Sequence, residues 1–297
     1  MAEPPVDRYM RRQHWMDGVA EFLQRLVAGA YRGLGRPGRF LKDLMHGTRP
    51  LGHPLHPAVT DIPIGAWAVA VVADFTAHFT VRLPGEAGDV AVAVGLVAAL
   101  LAVLTGYTDF SETFGLERRF ALSHGLIMTA VVALEAASLG LRWVGPASAH
   151  ALAVGLSTTG FVVLLFGAYL GGHLVFRIGT MVNRNAFAEG PDDYVPVGAP
   201  GDFGEGVLTR VMAGPMPVVV VRRGGALHAL AATCSHAGGP LDEGALEGDV
   251  VVCPWHASRF CVRDGRVRGG PATFRQPVLL VREVDGRVEV KLEAPLH

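Results

Sequence analysis

The chain has 297 residues, of which 50% are hydrophobic and only 18% charged, and its mean hydropathy is +0.34. That balance excludes a disordered or fibrous chain and indicates a protein partly built into a membrane. Basic and acidic residues number 26 and 27, so no general positive field exists for nucleic acid, and three cysteines are too few for a disulfide framework.

Residues 1–57 are basic and punctuated by glycine and proline, and they lack the apolar core of a cleavable signal peptide. Arg11-Arg12 has the form of a twin-arginine pair, but no apolar segment follows closely, so an export signal is not expected. Trp15, Val19, Phe22 and Leu26 recur at steps of four, three and four, which predicts an amphipathic helix. Its apolar face suits a membrane surface or a protein neighbour equally well.

Four apolar runs follow, roughly Ile62–Phe79, Val90–Tyr107, Ala121–Trp143 and His150–Val175. Each approaches the ~20 residues that an α-helix needs to cross the hydrocarbon of a bilayer. Leu83-Pro84-Gly85, Ser111 to Arg119 and Gly145-Pro146 separate them, and such short connections join antiparallel neighbours. Residues 58–176 are therefore expected to form an all-α four-helix transmembrane bundle. Arg39, Lys42, Arg49, Arg118, Arg119, Arg177 and Arg184 lie on the N-terminal side, against Arg82 and Arg142 on the other. This bias places both termini in the cytoplasm of a multi-pass cell-membrane protein.

His53-Pro54-Leu55-His56-Pro57 stands before Asp61-Ile62-Pro63-Ile64-Gly65 at the first run. The arrangement resembles an uncharacterised family of four-helix bacterial membrane domains marked by a His-Pro-x-His-Pro element, over about Leu51 to Val175. The resemblance implies an architecture and carries no activity.

Charge is costly inside a span, so Asp74 and Glu135 are candidates for a proton or quinone role. The alternative is that both are neutral, hydrogen-bonded acids or lie near the far interface. In an up-down-up-down bundle His53, His56, His124 and His173 fall at the membrane face that also carries the C-terminal domain. Histidine commonly ligates haem iron. His124 and His173, with His56 next, are therefore candidate ligands of a haem b. Tyr169, one turn before His173, is placed to orient it, and Gly167, Gly171 and Gly172 to open space. Interfacial histidines also cap helices or meet headgroups, and nothing in the spacing demands iron. His78 and His150 fall at the opposite face.

Residues 177–194 read as a linker, with glycine, proline and paired aspartates towards its end. From 195 to 297 the pattern turns to short β-rich runs: Met216–Arg222, Ala226–Ala232, Asp249–Cys253, Ser258–Val262, Val278–Val284 and Arg287–Leu292. Gly224-Gly225, Asp264-Gly265 and Asp285-Gly286 supply turns between several of them, and a small all-β domain is expected.

All three cysteines lie in that region. Cys234-Ser235-His236 is followed after sixteen residues by Cys253-Pro254-Trp255-His256, so two short loops each offer one thiolate and one imidazole. Four such donors suit a [2Fe–2S] cluster, and they also suit a Cys₂His₂ zinc site. The loops, with Gly238-Gly239-Pro240 after the first and Ala257-Ser258 after the second, resemble the ligand boxes of a Rieske [2Fe–2S] domain over about Val195 to Leu292. The resemblance implies that Cys234 and Cys253 hold one iron and His236 and His256 the other.

The boxes differ from those of quinol-oxidising respiratory complexes. The extra cysteine that each such box carries, joined there as a disulfide, is missing, with Trp255 at its place in the second. The sequence is more similar to soluble Rieske ferredoxins and the Rieske portions of oxygenase systems. Ser258 matches a serine that donates a hydrogen bond to cluster sulfur, whereas Phe260 stands where high-potential relatives carry a donating tyrosine. A low-to-intermediate potential is expected. Cys261 is expected to be a buried strand residue. No room follows the last strand for a catalytic iron domain, so a one-electron carrier is expected, with a redox protein as unknown partner, the bilayer as surroundings, and a quinone as a further candidate. In one version the bundle is an anchor and the Rieske domain a ferredoxin-like donor to a soluble oxygenase or reductase. In another the bundle is itself redox-active. A zinc-bearing structural module is the third.

Overall fold

A computed structural model describes residues 4–80 and 86–293, the side chains of 78–80 excepted. Arg82, the turn at Leu83-Pro84-Gly85 and the side chain of His78 lie outside the described residues. Contacts divide the chain into two units: Met1–Leu41 with Leu55–Thr180, and Lys42–Pro54 with Met181–His297. The divisions fall at 41/42 and 54/55, inside the basic N-terminal segment, and at 180/181, inside the segment 177–194 read as a linker.

The first unit is helical. Its long members are α4 (Leu55–Thr80), α5 (Glu86–Phe110), α6 (Gly115–Val144) and α7 (His150–His173), preceded by α1 (Pro5–Arg11), α2 (Trp15–Gly33) and the part of α3 (Gly35–His46) up to Leu41. Four helical segments are long and apolar enough to cross a membrane. One residue from each of α4 to α7 (Trp67, Ala99, Val131 and Leu164) meets at the bundle's core. Trp67 fits because Gly95 faces it, where a Cβ would come within 2.3 Å of the indole nitrogen.

On α2 the protein-facing side is not the apolar stripe. Met16 and Ala20 are buried, in one cluster with Phe120 and Leu122 of α6 and Leu170 of α7. Trp15, Val19, Phe22 and Leu26 are 68%, 41%, 55% and 53% exposed, so the apolar stripe faces outward. Arg119 of α6 fixes the helix through Asp17, with Nε 2.9 Å from Oδ1 and Nη2 2.6 Å from Oδ2.

The second unit is β-rich. β1 (Val195–Gly198), β2 (Thr209–Ala213), β3 (Met216–Arg223), β4 (Ala226–Ala231), β9 (Val278–Val284) and β10 (Arg287–Leu292) form an antiparallel sheet in the order β1-β10-β9-β4-β3-β2. A second sheet takes β5 (Ala245–Glu247), β6 (Val250–Val252), β7 (Arg259–Cys261) and β8 (Val267–Gly269) in sequence. Strand β3 explains its unbroken valine run. Successive side chains point to opposite faces, so Val218 and Val220 enter one core, Val219 and Val221 another, and both are buried. The second core also holds Cys234, Cys253, Val251 and Phe260, so packing supports the ligand loops directly.

Candidate functional site

The two boxes lie on loops of matched design, one after β4 and one between β6 and β7. In the first, the Cys234 N–H donates to Gly239 O at 2.9 Å and the Gly238 N–H returns to Cys234 O at 2.9 Å. In the second, the Cys253 N–H donates to Ser258 O at 2.8 Å and the Ala257 N–H returns to Cys253 O at 3.1 Å. The residue four places after each cysteine is left-handed, with φ 85° at Gly238 and 57° at Ala257. Each loop is therefore a closed turn with its cysteine at the mouth.

Both thiols are buried, at 1% and 3% exposure, and neither is in a disulfide. The rings of His236 and His256 are 5.0 Å apart and nearly perpendicular. Gly239 lets the loops close on each other, since a Cβ there would lie 2.8 Å from Cys253 Sγ and 3.0 Å from Trp255 Cγ. Cys261 is buried on β7, as expected.

The protonation chemistry suits a metal. The hydrogen bond from Cys234, and to a lesser degree the backbone N–H groups of Trp255 and His256, draw the Cys253 thiol down to about 6 against the opposing effect of burial. The same sulfur–sulfur bond, with burial, pushes Cys234 up. One proton leaves readily and the second does not, so a cation is needed to hold both as thiolates. Burial, followed by the charges of His256, His46 and Arg184, pushes His236 down to about 3. It is a neutral imidazole, and its Nδ1 is buried without a hydrogen-bond partner. Ser258 Oγ is likewise buried with no partner among the described residues. A sulfur-rich centre between the loops would satisfy both atoms, so the residues present fit a [2Fe–2S] cluster.

Several supporting residues were not visible as motifs. Gln276 is fully buried; its Oε1 accepts the Ser235 N–H at 3.1 Å, and its Nε2 donates to Ala231 O at 2.7 Å and to Thr233 O. Two further segments grip the loops. Arg184 N–H donates to Ser235 O at 3.1 Å and Asn185 Nδ2 to Thr233 O at 2.9 Å. From residues 42–54, Asp43 Oδ1 accepts the Gly270 N–H at 3.1 Å and Thr48 Oγ1 donates to Gly270 O at 2.7 Å.

The membrane residues sort differently from expectation. The buried Arg142 side chain pairs with Asp74 and with Asp89, the latter at 2.8 Å. Arg142 lies in the last turn of α6 and Asp89 in the first turn of α5, so the cluster sits at one end of the bundle. Glu135 is fully buried and its Oε2 accepts the Ser157 hydroxyl at 2.8 Å. His173 packs between Asp7 of α1 and Phe120 of α6. Its Nε2 stands 2.8 Å from Asp7 Oδ1, and its ring stacks on Phe120 at 4.5 Å. The Tyr169 ring lies 6.4 Å from that of His173, tilted by 48°, and 6.4 Å from that of Phe166. The ring neighbour of His124 is His56, at 6.3 Å.

Two thiols and two imidazoles on twin loops, joined to membrane-spanning helices, define a membrane-bound metalloprotein of the electron-carrier class. Residues 193–288 match the Rieske [2Fe-2S] domain, and residues 52–184 match the family described as "Predicted membrane protein (DUF2231)". The chain is 41% identical over 93 residues to the ferredoxin component of biphenyl 2,3-dioxygenase from Rhodococcus jostii (strain RHA1), covering 31% of this chain and 87% of that relative. To the ferredoxin subunit of anthranilate 1,2-dioxygenase from Burkholderia cepacia it is 36% identical over 100 residues, 34% of this chain and 93% of the relative. Among solved structures, the ferredoxin of carbazole 1,9a-dioxygenase from Nocardioides aromaticivorans IC177 is 28% identical, with a TM-score of 0.32 over 34% of this chain and 98% of that one. The chain belongs to the Rieske [2Fe–2S] domain family and joins that domain to a four-helix membrane domain. It is an electron-transfer protein that carries a [2Fe–2S] cluster.

Proposed function

We propose that Cys234 and Cys253 hold one iron of the cluster and His236 and His256 the other, in a membrane-held carrier of single electrons. The observation that carries this is the pair of twin loops, which deliver two buried thiols and two imidazoles with matched closure. When bound, the cluster supplies one-electron redox chemistry. The chain's own residues do the rest: the loop turns fix the sulfurs, Gln276 fixes the first loop, and the core around Phe260 keeps water from the thiol side. The missing hydroxyl donor at Phe260 supports a low-to-intermediate potential. EPR of the reduced full-length protein tests the assignment. A Rieske-type signal with two irons per chain is expected; an EPR-silent protein with stoichiometric zinc would replace it with the structural zinc module.

The partner is a redox protein. The names of the relatives support a ferredoxin-like donor to a terminal oxygenase, with the bundle as its anchor in the lipid bilayer. Both termini lie in the cytoplasm in this reading, which the seven cations of the N-terminal side support, the more so since Arg142 is neutralised inside the bundle. The second reading gives the bundle a redox group of its own, a haem b or a quinone. The pairing of His56 with His124 favours it.

A further inference from the structure

We propose that His56 and His124 form a transition-metal site inside the four-helix bundle, binding through their two Nε2 atoms either a bare first-row ion or the iron of a haem. The proposal rests on the second reading above and is independent of the cluster, since neither histidine belongs to the unit that carries Cys234 and Cys253.

The site is built twice in the same way. His56 of α4 directs Nδ1 at Ala102 O of α5 at 3.0 Å, and His124 of α6 directs Nδ1 at Gly167 O of α7 at 2.9 Å. A carbonyl oxygen only accepts, so both Nδ1 atoms carry the proton and both Nε2 atoms keep the lone pair. Four residues beyond each carbonyl stands a glycine. A Cβ on Gly106 would come within 2.8 Å of His56 Cε1, and one on Gly171 within 3.1 Å of His124 Cε1. All four spanning helices therefore contribute: two supply imidazoles, and two supply a carbonyl that sets the tautomer with a glycine that makes room for the ring.

An Nδ1–H held by a backbone carbonyl is the outer-shell arrangement that orients metal-binding histidines. The rings are 6.3 Å apart at 80°. Two metal–nitrogen bonds of ~2.0 Å plus the two ring radii give a spacing of about 6 Å when both Nε2 atoms face one metal in a near-linear arrangement, which the 6.3 Å spacing matches. Neither Nε2 takes a hydrogen bond among the described residues, and neither ring is fully buried. Imidazole pairs suit copper, iron and zinc, with further positions open to ligands from outside the chain.

The test uses full-length protein in lipid nanodiscs, from cells supplied with copper, iron, zinc and a haem precursor. Total metal, optical spectra and EPR of the wild type are recorded first, and need no variant to fold. One metal per chain beyond the cluster iron is expected. A Soret band with pyridine-extractable haem identifies haem, whereas a non-haem metal with imidazole nitrogen coupling identifies a bare ion. His56→Gln and His124→Gln each lower its affinity by about 10- to 100-fold with the cluster signal retained, and Gly171→Ala lowers it without removing a ligand. Wild-type protein with no metal beyond the cluster, a co-purifying quinone without metal, or full occupancy in the double His→Gln variant would each overturn the proposal.

Discussion

Gly238 and Ala257 occupy the same place in two loops: each stands four residues after a cysteine, returns its N–H to that cysteine's carbonyl, and holds a left-handed backbone. Only one of them is glycine. The left-handed conformation costs an L-residue roughly 1–2 kcal/mol, so Ala257 is strained where Gly238 is not. Gly238→Ala is expected to destabilise the cluster-bearing loop by about 1–2 kcal/mol, whereas Ala257→Gly should be neutral or slightly stabilising, its relief offset by ~0.5–1 kcal/mol of glycine entropy. Thermal loss of cluster absorbance in the full-length protein measures both. Equal destabilisation by the two changes would show that the loops are not equivalent.

Ser258 Oγ is buried with no partner among the described residues, at the closure of the second loop. If it donates to cluster sulfur, removing it favours the oxidised form. Ser258→Ala is expected to lower the midpoint by roughly tenfold in the redox equilibrium, or about 59 mV for one electron. Potentiometric EPR decides, and an unchanged midpoint would assign the hydroxyl a packing role only.

Arg142 neutralises Asp74 and Asp89 with its side chain fully buried. Removing one partner of a buried pair leaves an uncompensated charge and costs about 3–5 kcal/mol. Arg142→Leu is expected to abolish stable bundle assembly, and Asp74→Asn placed on top should recover part of the loss. Thermal aggregation in detergent, read as a double-mutant cycle, checks the coupling. Additive effects would mean that the pair is not a unit.

Asp17 is held at about 2, below its ordinary 3.8, first by the hydrogen bond from Arg119 and further by Arg119 and Arg118 charge, against burial. A lowered folded-state value stabilises the attachment of α2 to α6 above the unfolded value, and the benefit is lost as pH falls through the folded one. Pepsin should therefore cut α2 with sharply rising efficiency between about pH 4 and pH 2. Asp17→Asn should be cut equally across that interval. A wild-type profile as flat as the variant's would contradict the linkage.

The ligand boxes were visible in the sequence because each is local: a thiol and an imidazole within four residues, bounded by turn formers. The four spans were visible for the same reason, as continuous apolar runs of spanning length. The residues that hold the boxes were not. Gln276 follows Ser235 by some forty residues and is an ordinary amide until the sheet brings them together. Asp43 and Thr48 meet Gly270 from the far side of the whole bundle in chain order. Strands β1, β5 and β8 have only three or four residues, too few to show a period. Which histidines become ring neighbours is not legible in the sequence, because axial position along a span says nothing about rotation around it. Rotation turns His173 to Asp7 and His56 to His124.

Residues 42–54 belong to the same unit as the candidate ligands although four membrane helices lie between them in the chain. The bundle is thus an insertion within that unit, and this imposes an order on biogenesis. The first piece leaves the ribosome before any span is made, and the last only after the fourth span is complete. The contacts of Asp43 and Thr48 with Gly270 can close only when synthesis of the spans is over. A fragment starting beyond the fourth span would carry both ligand loops yet lack the residues that hold Gly270.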